Sequence, residues 1–141
     1  MTRWCVDASF IIAWLIPSQR TAAVSQRMAE YLEGEDEFVA PPLLEAEVVS
    51  TLRHWAYQGR LTREEGREMV QDFLRLGIAL EAPPGLPTRA YDLATALNLP
   101  RAYDACYLAL VDLLSCDFLT LDERLYNTAA KEYPWIRLAG R

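Results

Sequence analysis

The feature that most constrains the fold is an alternation of short, strand-like apolar runs with longer segments of helical periodicity. Strands are predicted over residues 3–6, 37–40, 78–81, 117–119 and 135–138. Each interval between the first four runs is long enough for at least one helix. Because strands that alternate with helices form βα units, the pattern predicts an α/β fold around a mostly parallel sheet.

Proline, glycine and capping residues set the helix boundaries. Pro17 should split one helical pair, since proline cannot continue a helix interior. Thr62 and Glu65 have the spacing of a capping box, and Gly59 is suited to end the preceding helix, which Pro41 and Pro42 open. The predicted helices cover residues 9–16, 20–32, 41–58, 62–76, 88–97, 102–114 and 123–131.

The clearest loop is the proline-rich segment 82–87. It is too short for a domain linker, and the chain after it is too short for a second independent core. We therefore expect residues 1–141 to form a single domain.

The charge balance argues against a general nucleic-acid-binding surface. The chain has 14 basic and 20 acidic residues, a net charge of −6, so its overall field repels phosphate. Any RNA binding must then be local. Arg53, Arg60, Arg63 and Arg67 form the densest basic stretch, which could grip phosphate or equally could be a solvated helix surface paired with nearby glutamates.

Three cysteines, Cys5, Cys106 and Cys116, lie far apart in apolar runs and are predicted to be buried thiols. A reducing, cytoplasmic location fits them. The N-terminal apolar stretch loosely resembles a signal peptide, but Asp7 interrupts it. No run is long enough to cross a membrane, so we expect no membrane association.

Three aspartates occupy positions where α/β proteins build sites. Asp7 and Asp122 each follow a predicted strand, and the carboxyl ends of strands are the usual location of such sites. Asp104 is the one early carboxylate of a helix that is otherwise apolar on every face, so burial would demand a partner for its charge. Each aspartate could instead be a helix cap.

A fourth acid is expected near the start of the helix that opens at Pro41. Glu45 and Glu47 flank its apolar stripe on opposite sides, so periodicity does not choose between them. The single histidine, His54, is two turns beyond Glu47 and is interpreted as structural, which leaves no histidine for a nucleophile scheme. Clustered carboxylates without histidine or cysteine favour a hard cation, Mg²⁺ or Mn²⁺.

The order of four segments resembles the PIN-domain family, in its VapC-type toxin ribonucleases, across nearly the whole chain. The segments are VDAS, PPLLEAEVVSTL, YDACYLALV and FLTLDERL. The resemblance implies an acidic constellation with hydroxyl support from Ser9 and Thr120. Its four members are Asp7, Glu47, Asp104 and Asp122. Glu47 is preferred to Glu45 on the family register alone, and Ser50 stands where the family usually has asparagine.

The resemblance also implies a three-layer α/β/α sandwich, a homodimer, and the toxin role in a toxin–antitoxin pair. In such an enzyme, one or two Mg²⁺ ions held by the carboxylates activate water to cut RNA, leaving 5′-phosphate and 3′-hydroxyl ends. A cognate antitoxin and RNA are then the expected partners.

Two other interpretations compete with this one. A haloacid-dehalogenase-like phosphatase or a receiver domain also has aspartate at strand ends. The phosphatase pattern requires a second aspartate at the position of Ser9. Both families require a lysine near the end of a late strand, whereas the sole lysine of this chain is Lys131, which lies beyond the Asp122 segment. The second alternative is a catalytically inactive PIN-like module that binds RNA or protein, against which stands the presence of all four acids.

Overall fold

A computed structural model describes residues 1–134 and 136–138, over which the chain forms five strands and seven α-helices. The strands are β1 (Thr2–Val6), β2 (Asp36–Ala40), β3 (Ala79–Leu80), β4 (Asp117–Thr120) and β5 (Ile136–Leu138). The helices are α1 (Ala8–Leu15), α2 (Ala22–Leu32), α3 (Leu43–Tyr57), α4 (Arg63–Arg75), α5 (Leu86–Ala96), α6 (Tyr103–Leu114) and α7 (Glu123–Ala129).

The five strands form one parallel sheet in the order β3-β2-β1-β4-β5. The first three strands in sequence therefore extend the sheet from β1 to one side, and β4 and β5 extend it from β1 to the other side. Strand order reverses between β1 and β4, and in open α/β sheets the crevice at such a switch point is where ligands bind. The topology therefore predicts a ligand site at the carboxyl ends of β1 and β4.

Helices cover the sheet in two groups. Helix α1 contacts α2, α3 and α4, whereas α6 pairs with α5 and packs on β1 and β4. Val6, Phe118 and Leu119 in the central strands are fully buried, as expected for a parallel sheet covered on both faces. The predicted α/β/α sandwich is confirmed.

Local chemistry explains the element boundaries. Pro17 ends α1 and opens a short 3-10 helix, Pro17–Gln19, and the capping box of Thr62 and Glu65 starts α4 as predicted. Gly59, just past α3, has a φ of +76°, the left-handed conformation that favours glycine after a helix. Every predicted helix is present, with ends that differ from the prediction by at most two residues.

Two of the observed strands, β3 and β5, differ from their predicted bounds. The predicted strand 78–81 reduces to the two residues of β3, which pair with β2 at the edge of the sheet. The last strand was predicted from residue 135, which lies outside the described residues, and is observed at Ile136–Leu138. In the described part of the chain, we find no helix with the length and apolarity that crossing a membrane requires.

Candidate active site

Asp7 is the buried centre of the site. It directly follows β1 and has 6% of its surface exposed. Its Oδ1 atom accepts hydrogen bonds from Ser9 Oγ at 2.6 Å and from the backbone N–H of Phe10 at 3.2 Å, and its Oδ2 atom accepts one from Thr120 Oγ1 at 2.5 Å. The bond to Phe10 caps α1, so Asp7 is both a helix cap and a member of the site.

The hydroxyl groups of Ser9 and Thr120 join the ends of β1 and β4. Besides donating to Asp7, Ser9 Oγ accepts from the backbone N–H of Leu121 at 3.0 Å. Thr120 Oγ1 accepts from the backbone N–H of Asp122, also at 3.0 Å. Each hydroxyl therefore has a donor on one side and the Asp7 carboxylate on the other, which fixes its orientation.

Burial raises the pKa of Asp7 to about 6, because the charged form loses hydration. The hydrogen bonds from Ser9, Thr120 and Phe10 oppose the shift, since they stabilise the carboxylate. The negative charge of Asp122 adds to the shift. A buried carboxyl with a raised pKa in a crevice is typical of a functional site.

Asp122 lies two residues beyond Thr120 and caps α7, where its Oδ1 accepts from the backbone N–H of Leu125 at 3.0 Å. Its charge raises the pKa of both Asp7 and Asp104. The capping role and the site position again coincide in one residue. Asp122 is the electrostatic link between the end of β1 and the start of α6.

Glu47 is half-buried on α3, and Tyr107 of α6 donates its phenolic hydrogen bond to Glu47 Oε1. Burial raises the pKa of Glu47, the Tyr107 bond opposes the shift, and the charge of Asp104 adds to it. Glu45, by contrast, is exposed. The structure thus places Glu47 among the predicted acids and Glu45 away from them.

Asp104 lies in the first turn of α6, where burial raises its pKa and the charge of Asp122 raises it further. The nearby Arg124 guanidinium opposes this shift. Asp104 and Glu47 both line a cleft of about 500 Å³ that Arg124 and Arg101 share. The four predicted acids therefore form a connected series: the charge of Asp122 raises the pKa of Asp7 and of Asp104, and the charge of Asp104 raises that of Glu47.

The donor chemistry suits a hard cation. Within residues 1–134 and 136–138, no three acidic, histidine or cysteine side chains come together as a metal site. Mg²⁺ does not need such a cage, because it keeps several waters and binds through one or two carboxylates together with substrate phosphate. Mutually repelling carboxylates with raised pKa values fit a cation of this kind.

Other residues singled out in the sequence lie elsewhere. His54 is exposed on α3. Arg53 and Arg60 lie over the rings of Tyr57 and Trp55, outside the acidic cleft. The three cysteines are free thiols; two are buried as predicted, and Cys106 is half-buried.

Sequence reasoning missed Tyr107, Arg101 and Arg124. Tyr107 looked like one more apolar residue of α6, and only the packing of α6 against α3 brings its hydroxyl to Glu47. Arg101 and Arg124 are not clustered with each other or with other basic residues in the sequence, so the sequence did not indicate a basic patch there. The sequence did offer one signal for them: Arg101 lies just before the YDAC segment that contains Asp104, and Arg124 lies within the DERL segment that begins with Asp122.

The fold is a doubly wound parallel sheet, and its candidate site lies beyond the carboxyl ends of β1 and β4, at the switch point in strand order. The PIN domain family model matches residues 4–131, and the chain belongs to the PIN-domain family, in its VapC-type branch. The resemblance predicted from the four sequence segments is confirmed.

Among its relatives are VapC ribonuclease Mb0985 of Mycobacterium bovis and ribonuclease VapC9 of Mycobacterium tuberculosis. Each is 32% identical to this chain over 129 residues, covering 92% of this chain and 93% of the relative. The crystal structure of PAE2754 from Pyrobaculum aerophilum matches with a TM-score of 0.67 at 20% identity, over 90% of this chain and 84% of that one. This last similarity shows the fold alone.

Proposed function

We propose that this protein is a metal-dependent endoribonuclease, the toxin of a toxin–antitoxin pair, which hydrolyses RNA to 5′-phosphate and 3′-hydroxyl ends. The observation that carries the proposal is the series Asp7, Asp122, Asp104 and Glu47. Three of its four pKa values are raised by burial and by the charges of neighbouring acids. The names of the VapC relatives support the same activity.

In the proposed site, Asp7, Glu47, Asp104 and Asp122 would bind Mg²⁺ or Mn²⁺, one or two of them directly and the others through waters that the ion keeps. When bound, such an ion lowers the pKa of water and offsets the charge of a phosphodiester. The net acidity of the chain then does not prevent phosphate binding, because the cation supplies positive charge where it is needed.

The remaining residues orient the carboxylates. Ser9 and Thr120 hold both oxygens of Asp7, and Tyr107 holds one oxygen of Glu47 and leaves the other for a ligand. Because these donors come from the first turn of α1, the end of β4 and the buried face of α6, the acids are positioned before substrate arrives. Such preorganisation is what electrostatic catalysis requires.

The partners follow from the same proposal. We propose a cytoplasmic homodimer whose activity is blocked by a cognate antitoxin, with RNA as substrate. The free cysteines are compatible with a reducing compartment.

The test is RNA cleavage with Mg²⁺ or EDTA by wild type, Asp7→Asn and Asp104→Asn. We expect EDTA to abolish cleavage because it removes the cation. Both substitutions should also abolish cleavage, since each removes charge that holds the cation while preserving side-chain shape. Glu47→Gln should impair cleavage far more than the matched control Glu45→Gln, which alters an exposed glutamate two residues away. Full cleavage in EDTA would contradict the proposal, and the reverse glutamate ranking would contradict the role of Glu47.

A further inference from the structure

The acidic cleft also contains two arginines and an aromatic ring. Arg101 lies just before α6, Arg124 lies in the first turn of α7, and both line the cleft with Asp104 and Glu47. Tyr103, the first residue of α6, lines it as well and has 55% of its surface exposed. Cationic and aromatic side chains therefore lie beside the carboxylates.

The interactions of these arginines set them apart from most others in the chain. Arg3, Arg75 and Arg89 form ion pairs, and Arg20 and Arg27 lie over tryptophan rings. Among the residues the structure describes, neither Arg101 nor Arg124 has a hydrogen-bonded ion pair. The Arg124 charge lowers the pKa of Asp104 against the effect of burial, but no acceptor among residues 1–134 and 136–138 forms a hydrogen bond with its guanidinium group.

We propose that Arg101, Arg124 and Tyr103 form a subsite for single-stranded RNA, in which the two guanidinium groups bind backbone phosphate and the Tyr103 ring stacks on a base. The inference rests on the proposed ribonuclease function and names how that site holds its substrate. Arginine matches phosphate oxygens bidentately, and an exposed ring accepts any base because every base has a π-face.

The size and charge of the cleft fit this assignment. A volume of about 500 Å³ is within the range of small-molecule sites and accommodates a nucleotide-sized group. The net charge of −6 repels RNA over most of the surface, so strand binding needs local cations. A splayed single strand exposes the base face that stacking on Tyr103 requires, whereas a paired duplex does not.

Salt dependence separates phosphate binding from a structural role. We would measure the affinity of a labelled, mixed-sequence single-stranded RNA in EDTA by fluorescence anisotropy over a range of salt concentrations. Each lost phosphate contact should reduce the slope of log affinity against log salt by about 0.7. Arg101→Ala and Arg124→Ala should each show this reduction, together with a rise of roughly tenfold in KM for Mg²⁺-dependent cleavage and a smaller change in kcat.

Arg67→Ala is the matched control. Arg67 is also exposed and without an ion pair in the described part of the chain, but it lines a separate groove between α3 and α4. Its salt slope and KM should equal those of wild type. An equal reduction in this variant would place RNA on the earlier basic stretch and overturn the inference.

Stacking is tested by a pair of substitutions at one position. Tyr103→Ala should weaken RNA binding roughly 5- to 30-fold without changing the salt slope, because one stacked base contributes about 1–2 kcal/mol. Tyr103→Phe should bind like wild type, since it keeps the ring. Equal affinity of the alanine and phenylalanine variants would overturn the stacking role.

Failure of this inference is distinguishable from failure of the proposed function. A wild type that cleaves no RNA with Mg²⁺ refutes the ribonuclease function. A wild type that cleaves, with Arg101→Ala and Arg124→Ala variants that keep its KM and salt slope, refutes the subsite alone.

Discussion

The substitution Tyr107→Phe removes the hydrogen bond to Glu47 and leaves the packing of the ring in place. Tyr107 is 1% exposed, and its ring is nearly parallel to that of Phe118, with centroids 6.1 Å apart. Phenylalanine fills the same space, so no large cavity forms. The measured change then reports the lost hydroxyl.

The expected loss follows from the kind of bond removed. A hydrogen bond to a charged group contributes about 1.5–3 kcal/mol, and its loss leaves a carboxylate oxygen short of a donor. Glu47 is only half-buried, so water compensates in part, and we expect a loss of roughly 1.5–2 kcal/mol at neutral pH. For a domain of this size the melting temperature should fall by about 4 to 8 °C.

The loss should depend on pH in a definite direction. The folded pKa of Glu47 is raised, so this group gives stability below its unfolded pKa near 4.3 that is lost as pH rises through the folded value. The Tyr107 bond opposes the rise, so removing it moves the folded pKa of Glu47 higher. The stability difference between wild type and Tyr107→Phe should therefore widen with increasing pH.

Urea denaturation in EDTA from about pH 5 to about pH 8 measures this difference, well above the unfolded glutamate pKa. Tyr31→Phe is the control, because Tyr31 donates to a neutral acceptor, the carbonyl oxygen of Leu76, at 2.6 Å. Its stability loss should be independent of pH over this range. If Tyr107→Phe shows the same flat profile, or a loss that is undiminished when Glu47→Gln is already present, the reasoning about Glu47 is wrong.

Three further predictions concern the carboxylates. The raised folded pKa of Asp7, about 6 against 3.8, gives stability that is lost as pH rises from the unfolded value through 6, so metal-free wild type should lose about 1.3 kcal/mol relative to Asp7→Asn between about pH 5 and 7, out of about 3 kcal/mol over the whole range. A pH-independent difference in urea denaturation would contradict it. Mg²⁺ or Mn²⁺ at about ten times its Kd should add about 1.4 kcal/mol and raise the melting temperature by about 3 to 6 °C in wild type, and less in Asp104→Asn. Equal shifts would show that these acids do not bind the ion. A cognate antitoxin should compete with Mg²⁺ in titrations through an arginine or lysine segment, and inhibitor contacts wholly remote from the four acids would exclude this.

The fold was predictable because its signals are local. Strand runs, Pro17 and the capping box of Thr62 and Glu65 act through neighbouring residues, so they appear in sequence as spacing. The length of strand β3 was overestimated, because an apolar run does not reveal how many of its residues pair with a neighbouring strand at the edge of the sheet. The strand order itself came only from the structure.

The candidate site also contains residues that the sequence revealed through local patterns and residues that only the tertiary structure revealed. Asp7 and Asp122 were visible as acids at strand ends, since that position is a local pattern. Choosing Glu47 over Glu45 needed the family register, because periodicity treated both alike. Tyr107, which separates them by contacting only Glu47, is 60 residues away along the chain, and no spacing rule connects the two.

The central place of β1 in the sheet has a consequence for synthesis on the ribosome. Strand β1 can pair with β2 once residues near Ala40 emerge, but its other edge and the Thr120 hydroxyl that holds Asp7 come from a segment made 113 residues after Asp7. Until then β1 has an open edge, which is prone to pairing with other chains. The carboxylates can assemble only when nearly all of the described chain has emerged. A nascent chain of this protein is therefore inactive for most of its translation, and a fragment that stops before β4 should aggregate instead of cutting RNA.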